Sequence, residues 1–211
     1  MNKHKAIFLD WNRTLSNSLF WEQMADPKHK HNPHHADIVK WLFIDNKSLI
    51  NPWMRGDYSS EDISKMIGTS IGLSYEIILN ELAESCRNMK FVSAEIPGLI
   101  KAIKRKGIKA IIATDNMDTF RKFTMDGMRL NEIFDDYLIS CELGKLKGDF
   151  GEKGQLLFFE DFMKANKLVY EETILLDDCL DDAGTMDKAG LKIIQITSPE
   201  VLVNVLNDYA S

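Results

Sequence analysis

The C-terminal half of the chain alternates between short apolar runs and stretches of helical period. "IKAIIAT" (108–114), "DDYLIS" (135–140), "TILLDD" (173–178) and "LKIIQIT" (191–197) are too short for buried helices and predict strands. Between and after them, "MDTFRKFTMDG", "GQLLFFEDFMKAN", "CLDDAGTMDKAG" and "SPEVLVNVLNDY" carry apolar residues at helical spacing. A further strand opens the chain in "KAIFLDWNRTLSNS" (5–18), where Ala6 to Leu9 run straight into Asp10. Short strands alternating with helices predict a parallel sheet covered on both faces.

From residue 16 to residue 94 the pattern is helical throughout. "SNSLFWEQM" opens on Ser16 as a possible cap, and "HHADIVKWLFI" has helical periodicity. "SSEDISKMIG" begins with a near capping box and predicts a stop at Gly68, and "SYEIILNELAESCRNM" is amphipathic. "PGLIKAIKRKG" then begins the regular alternation, with Pro97 in its first turn and Gly107 past its end. The expected architecture is α/β: a doubly wound parallel sheet from residues 1–15 and 95–211, with residues 16–94 inserted as an all-helical cap.

Composition narrows the function classes. The 211 residues include 32 acidic and 26 basic ones and no long basic run, which argues against nucleic acid or an anionic membrane surface as partner. No apolar stretch approaches a membrane span. Asp10 interrupts the N-terminal apolar run and argues against a signal peptide. Three scattered cysteines (Cys86, Cys141, Cys179) fit a reducing compartment. The expectation is a soluble cytoplasmic protein.

Four polar features fall at strand ends or helix starts: Asp10, Thr114, a lysine at 147 or 153, and the pair Asp177/Asp178. In a doubly wound sheet those ends share one edge, so groups far apart in sequence converge. A nucleophile, a hydroxyl donor, a cation and paired metal ligands suit phosphoryl transfer. The cluster "HKHNPHH" (His29, His31, His34, His35) sits at an expected turn, and Asn32-Pro33 explains it as loop composition more readily than as a metal site. Cys179 follows two carboxylates, which raise its pKa and make it a poor nucleophile.

These motifs and their order resemble the haloacid dehalogenase superfamily, in its phosphatase branch with a helical cap after the first motif. "FLDWNRTL" resembles the Asp-x-Asp-x-Thr-Leu motif, "AIIATDN" the second motif ending in Thr, and "LLDDCLDDAGTMDKAG" the acidic fourth motif. The resemblance implies Asp10 as nucleophile. It implies Mg2+ held by Asp10, the Asn12 carbonyl and Asp178, with Asp177 or Asp182 acting through water. Thr114 and the lysine would hold the phosphoryl group of a small phosphorylated substrate, and Asp115, Asn116, Arg13 and Arg55 are further substrate contacts. Spacing from Ser140 favours Lys147, spacing back from Asp178 favours Lys153, and the latter is slightly preferred.

The chain departs from the motif at Asn12, where the family carries the acid/base Asp, and at Arg13, where a small residue is usual. An amide transfers no protons near neutral pH, so a slow phosphatase is expected. The alternatives are a binding or regulatory protein with this fold and, less favoured, a dehalogenase.

Overall fold

The C-terminal edge of one short, fully buried strand organises the fold. In the computed structural model, which describes residues 4–181 and 184–211, strand β1 (Ala6–Leu9) lies at the centre of five strands. The others are β2 (Lys109–Thr114), β3 (Asp136–Ile139), β4 (Thr173–Asp177) and β5 (Lys192–Gln195), in the order β3-β2-β1-β4-β5. Every pairing is parallel. Leu9 lies opposite both Ile112 and Leu176, so the chain leaves β1 level with the end of β4. After β1 the chain first builds β2 and β3 on one side, then β4 and β5 on the other. That reversal puts a crevice between β1 and β4, where open α/β sheets place their ligands.

The strand alternation feeds two cores, as a period of two requires. Ile7 and Leu9 face one apolar cluster, while Ala6 and Phe8 face a second, in which Phe8 packs 5.0 Å from the Phe159 ring and 5.7 Å from Phe162. Ten helices clothe the sheet among the described residues: α1 (Asn32–Lys40), α2 (Ile50–Met54), α3 (Ser60–Ile71), α4 (Tyr75–Arg87), α5 (Ile96–Arg105), α6 (Met125–Gly127), α7 (Ser140–Leu143), α8 (Glu160–Asn166), α9 (Thr185–Lys188) and α10 (Pro199–Ala210). Helices α5 and α10 line the first face, and α8 lines the second. None is long and apolar enough to cross a membrane.

Between β1 and β2 the described chain is helical, and its only extended pairing is an isolated bridge between Asn12 and Ser16. Its apolar residues do not form a separate core. Trp21, Trp53, Ile63, Ile78 and Leu82 belong to the same buried cluster as Ile7 and Leu9. Each buried indole has a partner, as a buried N–H requires. Trp21 Nε1 donates to the Ile78 carbonyl (2.9 Å), Trp53 Nε1 to Asp118 (3.1 Å) and Trp11 Nε1 to Met89 Sδ (3.4 Å).

Three element ends differ from the sequence expectation. Ser16 caps no helix, because it closes the loop after β1: its carbonyl accepts from Arg13 N–H and its own N–H donates to Trp11. Helix α3 has the expected Ser59–Asp62 capping box but continues past Gly68 to Ile71. Gly68 is required instead by packing, since a Cβ there would stand 2.5 Å from the Leu73 carbonyl oxygen. Helix α8 starts only at Glu160, because residues 150–156 fold into a turn closed by a Phe150–Leu156 bridge.

Candidate active site

Asp10 is fixed by the sheet itself. Its N–H donates to the Leu176 carbonyl (2.9 Å), continuing the β1–β4 ladder by one residue, and the side chain is buried at the strand end. Trp11, next in sequence, turns its ring into the core 5.3 Å from Phe120 and 5.7 Å from Phe91. The chain then doubles back through Arg13, whose φ of 59° is a left-handed conformation. The bridge that closes this loop uses the Trp11 carbonyl and the Arg13 N–H, so the Asn12 carbonyl takes no part in it.

Lys147, and not Lys153, meets Asp10. Its Nζ lies 2.8 Å from Asp10 Oδ1 and 2.5 Å from Asp177 Oδ2, with all three residues buried. Its N–H donates to Asp115 (2.9 Å), which fixes the backbone as well as the ammonium. Lys153 is exposed on the 150–156 turn, where its N–H meets the Gln155 side chain. The preference for Lys153 is therefore corrected. Spacing back from Asp178 holds only if 154–166 is one helix, and the turn before Glu160 loops the extra residues out.

The local charges do not balance. Asp10 and Asp177 share one lysine, and the other Asp177 oxygen accepts from Cys179 N–H (2.9 Å). Burial raises the Asp10 pKa most; Lys147 draws it down and Asp177 pushes it up again, leaving it at about 7. Burial opposes charge on Lys147, yet the contacts to Asp10 and Asp177 keep its pKa above the ordinary lysine value. Asp178 stands beside this pair, 3.9 Å from the Arg13 guanidinium, whose side chain is 83% exposed. Asp177, Asp178 and Cys179 form a set whose ligand atoms all lie within 4.8 Å of one another. Hard carboxylate oxygens with a deficit of positive charge fit a Mg2+-like cation. Asp182 lies outside the described residues.

The other expected contacts divide. Asp115 and Arg13 line the same cavity as Asp10, Asn12, Lys147, Asp177 and Asp178; its volume is about 660 Å³. Thr114 ends β2 beside Ile139, buried, and its Oγ1 has no hydrogen-bond partner among the described residues. Asn116 turns inward, where its Oδ1 accepts from Met117 N–H and its own N–H donates to Ser140 Oγ. Neither lines the cavity. Arg55 does not either: its guanidinium grips both oxygens of Asp149, which also accepts from Leu146 N–H, next to Lys147. Arg55 is thus a tie to the lysine loop, and it is corrected as a substrate contact. His29 and His31 flank Glu81 at 3.3 and 3.9 Å, and the histidines form no tight ligand set among the described residues.

No family model and no curated protein matches the chain. Solved structures do. A predicted HAD-like family hydrolase from Porphyromonas gingivalis superposes with a TM-score of 0.71 at 19% identity, covering 98% of this chain and 97% of that one. A HAD family enzyme from Bacteroides thetaiotaomicron, in complex with magnesium and inorganic phosphate, gives 0.63 at 14% identity over 93% and 96%. The L-2-haloacid dehalogenase from Xanthobacter autotrophicus gives 0.61 at 13% identity over 97% and 82%. The chain has the haloacid dehalogenase-like fold.

Within this fold the structure adds two residues that sequence reading missed. Asp118 receives Trp53 Nε1 (3.1 Å), Ser60 N–H (3.1 Å), Ser60 Oγ and Lys122 Nζ (2.6 Å), joining the helical segment to the chain just past β2. Asp149, through Arg55, joins the helical segment to the loop after α7. Next to Arg55, Gly56 (φ 84°) approaches so near α7 that a Cβ would stand 2.5 Å from the Cys141 carbonyl oxygen. Asp118 had one sequence signal, its i,i+4 spacing to Lys122. The partners on α2 and α3 had none.

Proposed function

We propose that this protein is a Mg2+-dependent phosphatase-like hydrolase of the haloacid dehalogenase superfamily, acting on a small phosphorylated compound through an aspartyl-phosphate. The observation that carries it is the buried Asp10–Lys147–Asp177 cluster at the crevice between β1 and β4, opening into the cavity. The magnesium and phosphate held by the B. thetaiotaomicron structure support the same reading.

Asp10 supplies the attacking carboxylate oxygen, forming a bond to phosphorus as the ester P–O bond breaks and the alkoxide leaves. Water then attacks phosphorus, the bond to Asp10 breaks and phosphate departs. Lys147 holds Asp10 against the incoming phosphoryl oxygens and offsets their repulsion. Asp10, the Asn12 carbonyl and Asp178 would hold Mg2+, with Asp177 or Asp182 through water. Bound there, the cation neutralises charge that Lys147 alone does not. Asp115 and Arg13, which line the cavity, face the rest of the substrate, and Thr114, buried off the cavity, is given no contact to it. Asn12 orients the leaving group or the water by hydrogen bonds and moves no proton. Loss of general acid–base help slows such a reaction by roughly 10²–10⁴-fold. Residues 16–94 serve as the cap, closing the cavity with Leu19, Phe43 and Met54 on its wall.

The dehalogenase has the same fold, so the likeness does not separate the two chemistries. Among the described residues five carboxylates and two cations line the cavity, which repels a haloacid anion, as any anion, unless a cation is bound, and a site that calls for a bound cation favours phosphoryl transfer. Asn12 favours a second reading, a protein that binds a phosphorylated ligand without turning it over. Hydrolysis of an aryl phosphate with and without Mg2+ separates them. Turnover that needs Mg2+, vanishes in Asp10→Asn and rises in Asn12→Asp marks the hydrolase. Inertness of all three, with Mg2+ and phosphate still bound, marks the binding protein.

A further inference from the structure

The cavity lining is mixed, and its apolar part bears on the substrate class. Besides the carboxylates, the lining includes Leu19, Phe20, Phe43, Ile50 and Met54 from the helical segment, and Leu180 from the loop after β4 that also carries Asp178 and Asp181. Leu19, Phe43 and Leu180 are 67%, 40% and 56% exposed, which makes them half of the large apolar side chains that stand out into solvent among the described residues. They gather around one mouth. Apolar side chains held at the rim of a polar centre are a cost in water unless a ligand covers them.

The same wall carries no provision for a second charge. From Ser16 to Met54 its lining residues are uncharged, the hydroxyl and amide groups being Ser16, Asn17 and Ser18. Lys147 is spent on Asp10 and Asp177. Arg13, the other cation of the lining, stands within ion-pair reach of Asp178 and mostly in solvent. Arg55 is turned away and gripped by Asp149. Beyond the solvent-exposed Arg13, a carboxylate or second phosphate on the substrate would find no free cation among the described lining residues and several aspartates.

We infer that the substrate is a phosphate monoester of an uncharged, apolar alcohol or phenol, whose hydrocarbon body lies against Leu19, Phe43, Ile50 and Met54 while its phosphoryl group meets Asp10. The inference rests on the phosphoryl-transfer reading of the site and adds the chemical class of the leaving group. Phosphorylated carboxylic acids and bisphosphates are disfavoured. A phosphorylated sugar gains nothing from the apolar wall.

Binding of non-hydrolysable phosphonates tests this without requiring turnover. Methyl-, propyl- and butylphosphonate, with phosphonoacetate as the charged comparison, are titrated calorimetrically into the full chain with Mg2+. A methylene removed from water strengthens binding by up to about fourfold. Butylphosphonate is therefore expected to bind at least about tenfold more tightly than methylphosphonate, with phosphonoacetate no tighter than the methyl compound. Phe43→Ser, at a side chain already partly in solvent, should flatten the series while circular dichroism shows the fold intact. A flat series in the unaltered protein, with methylphosphonate still bound, overturns the apolar substrate and leaves the phosphoryl site standing. Binding of phosphonoacetate above butylphosphonate overturns it too. Failure of every phosphonate to bind removes the phosphoryl site and this inference together.

Discussion

Two sets of aspartates near the C-terminal edge of the sheet are treated in opposite ways. Asp118 and Asp149 are saturated: the first receives an indole, a backbone N–H, a hydroxyl and an ammonium, the second a two-pronged guanidinium and a backbone N–H. For Asp118, burial raises the pKa, but the hydrogen bonds from Lys122, Ser60 and Trp53 outweigh it and the net shift is down. For Asp149 the Arg55 hydrogen bond is the chief cause of a lowered pKa. Asp10 and Asp177, by contrast, divide one lysine between them, and Asp10 is raised. Saturated carboxylates make joints between the helical segment and the sheet. Under-neutralised ones keep the capacity to take a cation and a ligand, which is where perturbed pKa values point to chemistry.

The contrast predicts changes of different kind and sign. Asp10→Asn is expected to have the largest effect, reducing Mg2+-dependent aryl phosphate hydrolysis to the background rate, since an amide cannot serve as the nucleophile. It relieves like charge beside Asp177, so thermal unfolding should show no loss of stability. Asn12→Asp is expected to raise turnover by about 10²–10⁴-fold, the worth of a positioned acid/base. A rise confined to substrates with poor leaving groups would assign the deficit to leaving-group protonation.

Asp118→Asn should do the reverse of Asp10→Asn: destabilise, by about 2 kcal/mol, because Lys122 and Ser60 lose a charged acceptor. A melting point lower by about 4–8 °C would register it. Its pH dependence has a definite sign. A carboxylate depressed in the folded state contributes stability above its unfolded pKa and loses it as pH falls through the folded value. The gap between Asp118→Asn and the unaltered protein should therefore close in acid. Lys153→Ala is the smallest case, with turnover expected to stay within about twofold for an exposed residue outside the cavity. A large loss there would return Lys153 to the site.

Much of the sheet was legible in sequence because its strands are short, apolar and bounded by polar residues at the ligand edge. Asp10, Asp177 and Asp178 stood out as carboxylates ending apolar runs. Lys147 was ambiguous because loop length carries no periodicity, and the Phe150–Leu156 turn cannot be read from spacing. Arg55 looked like an anion contact for want of knowledge that Asp149, 94 positions away, lies beside it. The shared core of helical segment and sheet was hidden for the same reason, since periodicity shows that a helix has an apolar face but not what covers it.

The most direct test of the under-neutralised pair as a reacting centre is to trap its intermediate. Asn12 cannot deprotonate the water that attacks the aspartyl-phosphate, so the phosphoryl group should linger on Asp10. Intact-mass and peptide mass spectrometry after mixing with acetyl phosphate and Mg2+, then quenching in acid, measures it. One phosphoryl group per chain is expected, on the peptide carrying Asp10, dependent on Mg2+ and missing in Asp10→Asn. Hydrolysis of the acyl phosphate with no phosphoryl group on that peptide, or equal labelling of Asp10→Asn, would contradict it.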